Sequence, residues 1–171
     1  MASGVTLAAA QAMFTRAARA EPKQGGTFKA AVGHGQTTDS LDPATWSNGF
    51  TFAWGKSVMG APLVQISPKN EVIPHVAESF EPADGAKKWI FKIRKGITFH
   101  NGKDLTADDV VWTFKWHTTA SNASSQAGNY KGVLSPAGVV KTGTYEVTFN
   151  LDAPDSSFPY TVASTSYGSL I

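Results

Sequence analysis

Residues 87–117 read KKWIFKIRKGITFHNGKDLTADDVVWTFKWH, and their reading decides the fold. The first part alternates. Trp89, Phe91 and Ile93 point one way, while Lys88, Lys92 and Arg94 point mostly the other. A period of two is what a half-buried strand requires, because successive side chains leave opposite faces of the backbone. A second short apolar run, Ile97-Thr98-Phe99, leads to His100-Asn101-Gly102-Lys103. Asn-Gly marks a turn, since both residues tolerate positive φ. Thr106 then has the chemistry of a helix N-cap, with Asp109 three residues on to close a capping box. Asp108 and Asp109 sit where the helix dipole favours negative charge. Ala107, Val110, Val111 and Phe114 follow at i, i+3, i+4 and i+7 and make one apolar stripe. The expectation is a strand, a turn and a capped helix in succession.

Working outward, the flanks add short strands. Leu63–Ile66 and Glu71–Ile73 bracket Ser67-Pro68-Lys69-Asn70, a turn tetrapeptide. Near the end, Tyr145, Val147, Phe149 and Leu151 alternate with Glu146, Thr148 and Asn150, and a hairpin with Val139-Val140 is expected around Thr142-Gly143. Ala153-Pro154 ends that strand, and a short helix over FPYTVAS is expected after it. Phe50 to Met59 reads as a helix stopped by Gly60-Ala61-Pro62. Thr27 to Val32 alternates as a short strand through Phe28, Ala30 and Val32. Asp42 before Pro43 is a turn or cap residue, because proline keeps its predecessor out of the helical region. The stretch HTTASNASSQAGNYKG after the capped helix is small and polar and reads as a surface loop.

Composition narrows the class. The chain has 171 residues, 42% of them hydrophobic, which is enough for one sizeable core. The formal net charge is only +2 and the basic residues are dispersed, so nucleic acid is not an expected partner. With no cysteine, disulfides, thiolate catalysis and Cys-based zinc sites are excluded. The four histidines, His34, His75, His100 and His117, show no metal-ligand spacing, and no metal or other cofactor is expected. Glu78, Glu81 and Asp84 lie close in sequence, but neighbours in a loop do not define the separation that glycoside cleavage needs. No nucleophile elbow, P-loop or dinucleotide fingerprint occurs. No catalytic residue is assigned.

The first twenty residues differ from the rest. Ala2 to Phe14 is small, apolar and uncharged, and Ala18-Arg19-Ala20 has the form of a cleavage signal before Glu21-Pro22. Residues 1–20 are expected to be a partial signal peptide lacking its basic start, with an export leader of twin-arginine type as one route. An amphipathic helix of the folded domain is the alternative.

The quoted motifs carry a resemblance. The segment A-E-S at 77–79, then F-K-I-R-K-G at 91–96, Phe99, His100, Gly102 and T-A-D-D-V-V at 106–111 resemble, in order and spacing, the signature region of the extracellular solute-binding proteins of family 5. Lys88 and Thr98 depart from the family pattern without disturbing the alternation. Ser40-Leu41-Asp42-Pro43 and Ile73-Pro74 to Glu78 resemble two further elements of that family. The resemblance implies an α+β fold of short mixed strands with a few helices, forming part of lobe I of a two-lobed periplasmic binding protein-like fold. Residues 21–171 are then the N-terminal part of the solute-binding domain, truncated at the C-terminus. It also implies a non-enzymatic receptor outside the inner membrane that takes a peptide or similar solute and presents it to the permease subunits of an ABC importer. Two places implied for solute contact are Ser47, Asn48 and Gly49, beyond the Leu-Asp-Pro element, and Tyr130, in the loop after the capped helix. A secreted glycan-binding or glycan-active module is the rival reading.

Overall fold

The computed structural model describes residues 25–27, 29, 31–55, 59–163 and 170–171. The leader at 1–20 lies outside the described residues. Phe28 and Ala30, on which the first strand rests, do so too, and the described residues of 27–32 are in no strand. Gly25 and Gly26 take φ of +78° and +104°, which fits the break read there. The folded unit that follows runs over residues 32–171.

Asp42 accepts from Ala44 N at 2.9 Å and caps a 3-10 turn at Pro43–Thr45. Helix α1, Gly49–Trp54, follows. The helix expected over 50–59 is thus seen through Trp54, and residues 56–58 lie outside the described residues. Strands β1 (Val64–Ile66) and β2 (Val72–Pro74) form an antiparallel hairpin. Its turn is the expected one. Asn70 N donates to Ser67 O at 2.9 Å, and the Ser67 hydroxyl accepts from Lys69 N and Glu71 N.

Four strands make the main sheet: β3 (Ala77–Ala83), β4 (Lys88–Ile93), β5 (Val139–Gly143) and β6 (Glu146–Asn150). They stand in the order β3-β4-β6-β5, each pair antiparallel. A bridge between Val64 and Ala163 is parallel. β4 lies inside the sheet because its alternation gives it a full apolar face. Trp89, Phe91 and Ile93 are buried, and Lys92 and Arg94 are exposed. Registry sets Phe80 and Val147 on either side of Phe91, and Phe149 opposite Trp89, so the apolar face is continuous across three strands. The β5–β6 hairpin is as read, but its turn falls at Thr144-Tyr145, one or two residues after the expected Thr142-Gly143.

The turn after β4 also forms. Phe99 N donates to Lys103 O and Gly102 N to Phe99 O, both at 2.8 Å. Only Gly102 takes positive φ, +82°, while Asn101 closes the turn with its side chain, accepting from Lys103 N at 3.0 Å. His100 is exposed and takes no part in those bonds.

Helix α2, Ala107–Thr118, lies over β5 and β6. Thr106 and Asp109 close the capping box. The Asp109 carboxylate accepts from Thr106 N at 2.9 Å and from the Thr106 hydroxyl at 3.1 Å, and it is paired with Lys103. Burial pushes this carboxyl up, but the bonds from Lys103 and Thr106 and the Lys103 charge outweigh it and hold it below the usual carboxylate range. Ala107, Val110 and Phe114 are fully buried, and Val111 only half. The stripe instead runs on through Thr113 and His117, because the helix sits slightly rotated toward the loop that follows it. Phe114 meets Phe149 edge-on at 4.9 Å between ring centroids, and Phe149 in turn contacts Phe91 and Phe158. Phe158 belongs to α3, Phe158–Thr161, the short helix expected after β6. This aromatic cluster is the centre of the core, each buried ring adding about 1.5–3 kcal/mol by area alone.

Candidate functional site

Residues 35–55 include Ser47, Asn48 and Gly49, three of the four positions that the resemblance implies for solute contact, and tertiary contacts set their geometry. Trp46 is 1% exposed, and its indole N–H donates to Ser40 O at 3.0 Å, which folds the Leu41–Thr45 turn over the ring. Gly55 lets the chain pass the ring closely. A Cβ there would lie 1.8 Å from Trp46 Cζ3, so no larger residue fits without moving the indole. Asn48 caps α1. Its Oδ1 accepts from Phe50 N and Thr51 N, both at 3.0 Å, and its Nδ2 donates to Asp39 Oδ1. Asp39 Oδ2 accepts from Gln36 N at 2.7 Å.

Two concavities flank this segment. One, of about 390 Å³, is lined by Leu41, Trp46, Phe50, Thr51 and Trp54 with Asp39 at its edge. The other, of about 530 Å³, is lined by His34, Gly35, Gln36, Asn48 and Gly49. Ser47 and Gly49 are exposed, and Asn48 is half-buried with its side chain committed to the cap. Ser47 and Gly49 are therefore the open positions of the three, and the Asn48 amide is taken up by the cap.

Tyr130 is not beside them in kind. It was expected as an exposed loop aromatic, and that expectation is corrected: the residue is 1% exposed and its ring meets Phe114 edge-on at 5.8 Å. The loop it belongs to is not wholly a surface loop either. Ser124, Gln126 and Tyr130 turn inward, because their partners lie on α2 and at Trp46.

The other chemical candidates stay apart. Glu78, Glu81 and Asp84 are all exposed, and Glu78 sits at the irregularity where β3 slips register against β4. Among the described residues there is no group of three His, Asp or Glu side chains able to hold a metal ion. His75 Nδ1 lies 3.1 Å from Pro62 O, a structural contact between the residue after β2 and the chain before β1.

Sequence reasoning missed a buried polar chain. His117 Nδ1 lies 2.7 Å from Ser124 Oγ, which accepts from Gln126 N at 3.1 Å. Gln126 Nε2 donates to Trp46 O at 3.3 Å, and Ser125 Oγ donates to the same carbonyl at 3.0 Å. Ser125 N donates to Ala44 O at 2.8 Å. The available signal was His117 standing three residues after Phe114, on the buried side of α2.

Comparison with known proteins places this geometry. Residues 71–170 match the family described as bacterial extracellular solute-binding proteins, family 5 Middle. The oligopeptide-binding protein AppA of Bacillus subtilis is 38% identical over 96 residues, 56% of this chain and 17% of that protein. The dipeptide-binding protein of Escherichia coli is 29% identical over 135 residues, 70% of this chain and 25% of that one. The solved structure of AppA in complex with a nonapeptide superposes with a TM-score of 0.65 at 30% identity, covering 78% of this chain and 25% of that chain. The chain thus spans about a quarter or less of the length of these relatives. The architecture is that of part of one lobe of a two-lobed periplasmic binding protein. A strand–turn–capped-helix frame read in the residues, found in the structure and matched over 71–170 leads to one conclusion: the chain belongs to the bacterial extracellular solute-binding proteins of family 5, a family of binding proteins rather than enzymes.

Proposed function

We propose that the chain is part of the exported receptor of an ABC importer, which captures a peptide or similar solute outside the inner membrane and delivers it to the permease. The observation that carries this reading is the likeness to AppA, solved with a nonapeptide, over 78% of the chain. Ser47 and Gly49 are the proposed contact points, where exposed backbone pairs with an extended peptide in strand fashion. Asn48 holds them in place by capping α1, and Tyr130, packed on Phe114 in the core, is not proposed as a contact. The fuller receptor closes its lobes on the solute, so affinity includes a hinge equilibrium as well as contacts. One part of one lobe offers a single wall of such a cleft, and a peptide's polar groups need partners on all sides to offset their desolvation.

Calorimetric titration with a mixed peptide pool tests this. The product of the longest reading frame containing this chain is expected to bind at sub-micromolar concentration and to melt at higher temperature as peptide is added. The 171-residue chain alone is expected to bind none tightly. Tight binding by the chain alone, or none by the longer product, would overturn the reading. Export is tested separately: N-terminal sequencing of the secreted protein is expected to begin at Glu21, and a start before Ala10 would refute the leader.

A further inference from the structure

The polar chain from His117 to Trp46 joins α2 to the segment that precedes α1. His117, Ser124 and Gln126 are 4%, 7% and 4% exposed, and burying polar groups this deeply is favourable only when each is bonded. Among the described residues no buried side-chain polar atom lacks a partner. The chain is directional. It starts on α2, whose buried Ala107, Val110 and Phe114 belong to the core, and ends on the carbonyl of Trp46, the residue immediately before Ser47. Two of its bonds converge on that one carbonyl, and a third ties Ala44. Among the described residues no strand pairs with residues 40–49, and the buried Trp46 ring, the buried Ala44 and these bonds tie them to the rest of the fold.

We propose that the His117–Ser124–Gln126 chain is a positioning latch that holds residues 40–49 in the arrangement presented to solute, and that acidification releases it. The part concerning solute rests on the proposed function above. The mechanism is a proton at His117. A neutral ring can share a hydrogen bond with Ser124 in either direction, whereas an imidazolium is a donor at both nitrogens and carries charge into a buried site. Burial lowers the His117 pKa below its ordinary 6.5, and the negative charge of Asp42 raises it only in part. Asp42 is the charged group facing the ring from the 42–46 stretch. Residues 119–130 carry no charged side chain, and on α2 itself the nearest charge in sequence, Lys115, is exposed. The sign follows. The unfolded or released segment takes up a proton at higher pH than the latched one, so the latch is fully effective above about 6.5 and weakens as pH falls below it.

The test uses the product of the longest reading frame, as wild type, His117→Ala, His117→Asn and Ser124→Ala. Amide hydrogen exchange of residues 44–51 is measured at pH 7.5 and 5.0, corrected for intrinsic rates, with β4 amides as the internal reference. In wild type, protection at 44–51 is expected to fall about tenfold at the lower pH while β4 is unchanged. His117→Ala and Ser124→Ala are expected to lose that protection at both values. His117→Asn places a non-titrating amide where Nδ1 stood, and is expected to keep protection and abolish its pH dependence. Protection at 44–51 that is unaltered in the alanine variants, or a wild-type pH profile retained in His117→Asn, would overturn the latch. Titration with the mixed peptide pool supplies the second arm, with affinity expected to follow protection across variants and pH. Intact affinity with lost protection would overturn the link to solute. Absence of any binding in wild type would refute the proposed function alone, and the exchange arm would still decide the latch.

Discussion

The sheet with α2 and the segment at 40–55 are held by different physics. In the sheet, Phe91, Phe114, Phe149 and Phe158 bury one another, and the strands register through ladders that any apolar alternation would produce. In the segment, Trp46 is buried along with the small Ala44 and Thr51, and the stretch is fixed by local caps at Asp42 and Asn48 and by bonds from far away in sequence, Ser125 and Gln126 to the Trp46 carbonyl. Area-driven burial is cooperative and tolerant of detail, whereas a short polar tether fails when a single bond is lost. In the proposed function the two would divide the work, the sheet as a fixed frame and the segment as a contact whose attachment can be adjusted without unfolding the frame.

The comparison can be broken at its strong side first. Phe114→Ala removes a fully buried ring from the centre of the cluster and is expected to cost about 3–5 kcal/mol in denaturant unfolding of the longer product. A cost below that of the cap substitutions considered below would show that the aromatic cluster is not what holds the frame.

Next in size is Gly55→Ala. The added methyl meets the Trp46 ring at an impossible separation, and displacing the indole is expected to cost about 1–3 kcal/mol. The loss should be local. Hydrogen exchange is expected to rise at residues 44–51 and stay unchanged in β4. Equal loosening of both would mean that segment and frame are one cooperative unit.

The two caps sharpen the contrast. Thr106→Ala and Asn48→Ala each remove a helix N-cap, for about 1 kcal/mol. Their consequences should differ. Asn48→Ala is expected to weaken peptide binding in calorimetry with little effect on the unfolding midpoint, while Thr106→Ala is expected to lower the midpoint with affinity unchanged. The reverse pattern would exchange the roles given to the two regions.

The smallest effect is expected at the surface. Lys141 pairs with Asp108 at 2.7 Å, but the side chains are 40% and 67% exposed. Lys141→Ala should therefore change stability by about 0.5 kcal/mol or less, and less still in high salt. A loss above that of the cap substitutions in denaturant unfolding would mean that β5 depends on this pair for its seat against α2.

Legibility followed the range of the interactions. Trp89-Ile90-Phe91-Lys92-Ile93 shows its buried face to any reader because the period of a strand is local. Thr106 and Asp109 announce a helix start because the box closes within four residues. Val111 was placed too deep and His117 too shallow, since the rotation of α2 depends on what packs beside it. Tyr130 was placed at the surface because its neighbours are small and polar, yet Phe114 offers it an aromatic edge that no local pattern reveals. The polar character of Ser124 and Gln126 pointed outward for the same reason, and their partners turned them in.

By itself, then, the amino-acid sequence determined the strand–turn–capped-helix frame, the two hairpins and the short helix after β6, because each is written in spacings of two to seven residues, and the resemblance of its ordered motifs pointed to the family. The tertiary structure alone decided that the Asn48 side chain is spent on a cap, that Tyr130 belongs to the core, and that His117 reaches Trp46 through Ser124 and Gln126. Those are contacts between positions as much as 80 residues apart, Gln126 to Trp46 among them. Whether such a polar side chain is solvated or bonded depends on the partner that folding brings to it, and no local pattern encodes that partner.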